Sequence, residues 1–425
     1  AISQPFPSTR EHRMSILILG AGIVGVSTAV QLRQRGEDVV LVDQADPGMG
    51  ASFGNAGMIH GEAVFPLPFP RKFAELLQFG LNRTPALHYH LRALPALAPF
   101  LSQYWWHSAQ ARHRKIADAY AALTLKAQGA HLALAETAKA THLLRHDGCY
   151  TIFRSTKGEK AAIAEAEQAA QHSGISYRLL DAEAYRQCEP HVTGVNGAVH
   201  WQDSLTVTDP HELVTAYFGL YKQLGGTFIR ARAEDIRAGT NGWSLPSGDG
   251  IIEADKLIVA LGARSGQFTR MLGYQFPLQP KRGYHLHYTP DTDRPLNHTI
   301  IDRENGFSLA PMTRGIRLTT GIEFARNEAA PTPVQITRSE KSARQIFDLG
   351  TAEEATPWMG ERPCLPDMLP VIGKAPDREN LWFAFGHGHQ GFTMGPVTGQ
   401  LIAEIMTGDK PVIDPYPYRP DRFSL

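Results

Sequence analysis

Residues 16–43 constrain the fold more tightly than any other part of the chain. A short apolar run over 16–19 ends on Gly20-Ala21-Gly22-Ile23-Val24-Gly25, the pattern GxGxxG. The following VSTAVQLRQRG has helical apolar spacing and stops at Gly36, and a second apolar run over 39–42 ends at Asp43. Strand, glycine turn, helix, strand and acid in this order describe a βαβ unit that binds a dinucleotide. Its glycines allow a tight turn and close approach of a pyrophosphate, the helix N-terminal amides attract the charge, and the acid accepts from ribose hydroxyls. Gly20, Gly22, Ile23, Val24, Gly25 and Asp43, with Gln44 beside it, are the expected grip.

A length of 425 residues suggests two or three domains, and a 43% hydrophobic composition is that of a globular chain. Lys and Arg number 42 against 42 Asp and Glu, so no net field exists to hold a polyanion, and nucleic acid is not an expected partner. Cys149, Cys188 and Cys364 lie far apart without CxxC spacing, against a zinc ribbon, a disulfide framework or an iron–sulfur cluster, and in keeping with a reducing compartment. No apolar window reaches about 18 residues, so no spanning helix is expected. AISQPFPSTREHR lacks the apolar core of a signal peptide. Residues 1–13 are expected to form an extension outside the fold, and the protein to be cytoplasmic or peripheral on the inner face of the membrane.

Between residues 65 and 145 the pattern changes to a proline-punctuated stretch and then a long helical one, as for an insertion packed on a core. Residues 149–154 alternate as a strand, 159–172 read as an Ala/Glu-rich helix, and Asp209-Pro210 opens another with an N-cap and a first-turn proline. Gly225-Gly226 ends that helix, 227–231 follows as a strand, and 255–261 is a buried strand closed by Gly262. From 276 to 325, alternation over turn glycines predicts a second, antiparallel sheet. A helix is expected over 338–349, then strand LWFAF, turn GHGHQGFTMGP and helix VTGQLIAEIMTG.

Residues 48–58 are too glycine-rich for a core element and suit a loop lying along a ligand. Asp43 followed by GASFGNAGMI, DKLIVALGA, RPCLPDMLPVIG and GHGHQGFTMGP resembles the FAD-dependent amine and amino-acid oxidoreductases of the D-amino-acid oxidase superfamily, from Ser15 to about Gly408. The GNAG loop, the RGY strand and the GHG turn are most similar to its bacterial D-amino-acid dehydrogenase branch. The resemblance implies an α/β fold: a discontinuous Rossmann-like FAD-binding domain (14–64, 193–265 and 358–415) plus a substrate domain (65–192 and 266–357) with a mainly antiparallel sheet and inserted helices.

It also implies non-covalent FAD. Ala51, Ser52, Asn55, Ala56, Gly57 and Met58 would lie along the ribityl chain and ring, Ala233 would contact adenine through its backbone, and Ala260 and Gly262 would approach the pyrophosphate. Gly388, His389, Gln390, Gly391, Phe392 and Thr393 precede a helix whose positive end would face flavin N1 and O2. Arg362, in ERPC, matches the family's carboxylate-binding arginine, and Tyr284, in KRGYHLHY, is expected to add a hydroxyl to the same carboxylate; these form the expected catalytic pair. His60 and His389 are expected in the substrate pocket. His285 and His287 alternate on the face opposite Tyr284 and are expected to be half-buried or solvent-facing.

Cys364 does not match a flavin linkage position, and GHGH lacks the third ligand of a metal site, so no metal is expected. The implied reaction is oxidative deamination of a D- or cyclic α-amino acid, with neutral candidates such as D-proline, hydroxyproline or D-alanine. Hydride would pass from Cα to flavin N5 and electrons to a quinone or another non-oxygen acceptor. A glycine- or sarcosine-type oxidase releasing peroxide is the alternative. Over 94–116, Tyr104, Trp105 and Trp106 beside basic residues suit either a membrane interface or a helix packed on the substrate domain.

Overall fold

Strands Ser15–Leu19, Lys256–Val259 and Leu381–Phe385 are almost wholly buried, the mark of parallel strands covered by helices on both faces. In the computed structural model, which describes residues 15–240, 242–247, 250–290, 293–326 and 328–423, they form the middle of a six-stranded sheet. Asp38–Asp43 and then Thr227–Arg230 extend it in parallel on one side, and Val371–Lys374 closes the other side antiparallel. The expected N-terminal extension lies outside the described residues.

Helices Ile23–Gln34 and Gly391–Thr407 leave two of these parallel strands at the same edge and pack side by side. Their backbones approach closely because two residues lack side chains: a Cβ on Gly395 would lie 2.8 Å from Ile23 Cγ1, and one on Gly399 2.7 Å from the carbonyl carbon of Ser27. Both N-termini therefore emerge together at the carboxyl ends of the strands, where open α/β sheets bind ligands. Helix Gln110–Thr137 lies against Gly391–Thr407 and Pro210–Gln223.

The second sheet has eleven strands and centres on Gln279–Thr289. Gly315–Thr320, Ile322–Phe324, Thr351–Ala352 and Trp358–Cys364 all pair with that strand antiparallel. The sheet runs on through Phe307–Met312, Thr299–Asp302, Cys149–Phe153 and Gly197–Trp201 to Tyr177–Asp181.

Two boundaries change. Gly197–Trp201 and Trp358–Cys364 fall within segments expected in the FAD-binding domain, yet by hydrogen bonding they belong to the second sheet. Alternation identifies a strand but not its partner. The helix expected over 338–349 runs Val334–Ala343 instead; Ile346, Phe347 and Leu349 prolong the apolar pattern because they fill the core from a non-helical turn.

Candidate active site

The glycine turn is built as its spacing requires. Gly20 takes φ +105°, and a Cβ there would sit 2.3 Å from the Ala260 carbonyl oxygen; one on Gly25 would sit 1.8 Å from that of Gly20. Gly22 is different, since its Cβ would meet only Ser52 Oγ at 3.4 Å, so this side of the turn is open to a ligand. Ser52 Oγ accepts from the Ile23 amide at 3.0 Å, which ties the glycine-rich loop to the helix N-terminus. Asp43 turns its carboxylate back onto the Ala21 amide (2.8 Å) and the Ala45 amide (3.1 Å), and each oxygen keeps a lone pair for a further donor. Ala231 donates to the Asp43 carbonyl, which brings Ala233 to the same end of the site. Gln44 and Ala51 are exposed. Gly262, at φ +57°, has no atom within 4 Å of where a Cβ would be, a second open approach.

The loop over 53–57 is held by the second sheet. Arg317 is buried and donates to the carbonyls of Phe53 (3.2 Å) and Asn55, while its Nε donates to His287 Nε2 at 3.0 Å. Because His287 Nε2 accepts, its proton sits on Nδ1, 2.7 Å from Glu354 Oε1. Gly54 lies on the Trp358 ring, and His285 stacks on that ring at 4.9 Å. His285 and His287 are thus fully buried supports of the loop, at 2% and 0% exposure, not half-buried or solvent-facing. The expectation treated their face of the strand as open, but the loop covers it. Asn55 Oδ1 accepts from Gly57, and Thr393 Oγ1 bridges the Met58 carbonyl and the His60 amide. The loop and the start of helix Gly391–Thr407 are thereby joined. From behind, buried His131 donates from Nε2 to the Phe392 carbonyl at 2.9 Å.

Arg362 pairs in register with Lys281 and leans over Gly283, donating to the carbonyls of Gly321 (2.7 Å) and Thr320 (3.2 Å). Among the described residues it has no carboxylate partner. Tyr284 is a correction. It is one residue from Gly283 along the strand, so its side chain points to the opposite face, and its hydroxyl donates to Glu323 Oε1 (3.0 Å) and accepts from the Thr332 amide (2.9 Å). It cannot share a ligand carboxylate with Arg362.

His389 lines a cavity with Lys281, Tyr104, Tyr120 and Cys364. Desolvation inside the cavity, then the charges of Arg362, Lys281 and His60, lower the pKa of its imidazole well below the usual histidine range, although the side chain is exposed to the cavity itself. His387, the other histidine of GHGH, is turned inward with Nε2 2.9 Å from Thr398 Oγ1. His60 Nδ1 lies 2.5 Å from Glu62 Oε1, and Ser204 donates to Glu62 Oε2. Burial opposes the charge on Glu62, yet His60 and Ser204 prevail and hold its pKa at about 2.

Lys281, Tyr120, Glu62, Arg317 and Glu354 were missed by motif reading, and Tyr104 lines the cavity instead of sharing a surface with Trp105 and Trp106, because each gains its role from a neighbour remote in sequence. The run KRGYHLHY did contain one signal, a lysine on the same face of the strand as Gly283.

A turn open at Gly22 and Gly262, with a second helix N-terminus beside it, accommodates an extended dinucleotide, and Lys281 and Arg362, which have no carboxylate partner among the described residues, share one face of the second sheet; the class is a dinucleotide-dependent oxidoreductase. More narrowly, the chain belongs to the FAD dependent oxidoreductase family, whose profile matches residues 15–405. It is 29% identical over 420 residues to a D-amino-acid oxidase of Bradyrhizobium diazoefficiens, covering 96% of this chain and 98% of that one. It is 28% identical over 415 residues to a D-amino acid dehydrogenase of Chromohalobacter salexigens, covering 95% and 98%. Glycine oxidase from Geobacillus kaustophilus shares the fold with a TM-score of 0.75 at 20% identity, over 97% of this chain and 99% of that one. The residues present fit FAD.

Proposed function

We propose that the protein oxidises a D-α-amino acid, with FAD held non-covalently and electrons passed on to a quinone or another acceptor than oxygen. The observation that carries the reading is Arg362, a half-buried guanidinium without a carboxylate partner among the described residues, beside His389 at the mouth of helix Gly391–Thr407. Relatives named for D-amino acids match the chain almost end to end. When bound, FAD supplies the two-electron acceptor for the hydride from Cα. Arg362 orients the substrate through two hydrogen bonds to its carboxylate and so fixes Cα. The ammonium must lose a proton before hydride leaves, so reduction quickens as pH rises. Burial pushes the Cys364 thiol up, which keeps it protonated and a poor nucleophile for a flavin linkage.

Among the described residues no helix is long and apolar enough to cross a membrane. Trp105 and Trp106 nevertheless point outward, with Arg71 4.0 Å and Arg112 3.7 Å from their ring centroids, while Tyr104 and Phe100 of the same helix pack inward. Phe73, Leu77, Leu81 and Leu91 are also exposed, which extends the apolar surface well beyond residues 94–116. Aromatic and cationic groups in this combination suit peripheral contact with the inner face of a membrane, where a quinone is at hand.

Anaerobic titration of the FAD-loaded protein with D-, L- and cyclic amino acids tests the reading. A D-amino acid should bleach the visible flavin band, and colour should return slowly in air. Rapid recovery with peroxide would place the protein with oxidases, and no bleaching by any amino acid would overturn the substrate class.

A further inference from the structure

Lys281 is 3% exposed, and among the described residues it forms no ion pair. Its ammonium sits 4.2 Å from the centroid of the Tyr104 ring, 5.5 Å from Phe100 and 5.6 Å from Phe324. Attraction to aromatic faces offsets part of the cost of burying an ammonium, but it supplies no counter-charge.

Lys281 is the direct cross-strand partner of Arg362. Paired residues in an antiparallel sheet present their side chains on one face with Cβ atoms roughly 5 Å apart. From there the two side chains diverge. Arg362 crosses Gly283 toward the Thr320 and Gly321 carbonyls, while Lys281 enters the aromatic cleft of the cavity. His389 feels both charges. Glu62 is engaged by His60 and Ser204.

We propose that Lys281 is a second anion receptor in the substrate pocket, so that the protein prefers α-amino acids whose side chain ends in a carboxylate. The α-carboxylate lies on Arg362 and the side-chain carboxylate on Lys281. The aliphatic and aromatic residues of the matched motifs favoured neutral or cyclic substrates, and Lys281 lies outside those motifs. This inference rests on the reading of the cavity as an amino-acid site.

The test compares near-isosteric ligands on the FAD-loaded protein. In anaerobic reduction, D-glutamate should exceed D-glutamine at least tenfold in kcat/KM. Lys281→Met should bring that ratio close to one, and Lys281→Arg should retain most of it. In spectral titrations without turnover, glutarate should bind at least tenfold more tightly than butyrate. Equal use of D-glutamate and D-glutamine overturns the proposal, as does Lys281→Met slowing every substrate by the same factor, which would assign the lysine to the cofactor. If Lys281→Met does not fold, the wild-type comparisons still decide. If no amino acid reduces the flavin, the proposed reaction fails on its own, while glutarate against butyrate continues to read the second receptor.

Discussion

Arg362 and Tyr284 belong to neighbouring strands, yet they face opposite ways, and their substitutions should behave differently. Arg362→Ala removes a charge-assisted pair with the substrate, about 2 kcal/mol or more, so KM should rise roughly 30-fold with the flavin retained. An unchanged KM would remove Arg362 from the pocket. Tyr284→Phe leaves buried Glu323 and the partly buried Thr332 amide short of a partner, which costs about 1–2 kcal/mol of stability. Its KM should stay within about twofold, since its hydroxyl never reaches the carboxylate. Thermal melts and initial rates on the two variants separate these outcomes. Arg362 could be singled out as a candidate from its motif. The direction of Tyr284 was readable only from the register of two strands.

At the scale of elements, the cofactor site is an assembly of parts from both sheets. The loop over 53–57 carries glycine and asparagine, which hold no conformation by themselves, and Arg317 supplies the order by donating to its carbonyls across 264 and 262 residues of chain. Arg317→Met should weaken FAD binding by roughly tenfold, measured by fluorescence of released flavin, because those carbonyls lose their donors and the loop its shape. Unaltered FAD affinity would show that the loop keeps its form without the arginine. Gly399→Ala addresses the helix pair. The added methyl would lie 2.7 Å from the Ser27 carbonyl carbon, so the helices must part at a cost of about 1–3 kcal/mol, seen as a lower Tm. The glycine spacing of the last helix is plain in the sequence, whereas its partner is not.

Across the whole molecule, buried histidines shape the response to acid, His131, His387 and His285 among them. Burial lowers the pKa of His131 to about 4, of His387 to about 3 and of His285 to about 2, with the Arg317 and His287 charges adding to the last. Each folded value lies below the unfolded one near 6.5, so between the two the unfolded chain binds more protons, and stability falls as pH drops below about 6.5. The slope is up to about 1.4 kcal/mol per pH unit for each histidine. Glu62 acts at lower pH: its depressed pKa contributes stability that is complete above about 4.5 and is lost as pH falls toward about 2. Denaturant unfolding at pH 7, 6 and 5 should show the midpoint falling at each step; a flat response would mean that these rings do not stay neutral inside the fold.

The local βαβ unit, its glycine geometry and the cofactor class were determined by residues adjacent in the chain, since turn sterics and helix-end amides act over a few positions. Which strands share a sheet, how Arg317 reaches the flavin loop, and why Lys281 and Arg362 stand side by side were decided only by the tertiary structure. Periodicity shows which face of a strand is apolar, but burial, charge pairing and register depend on which distant segment comes to lie against it.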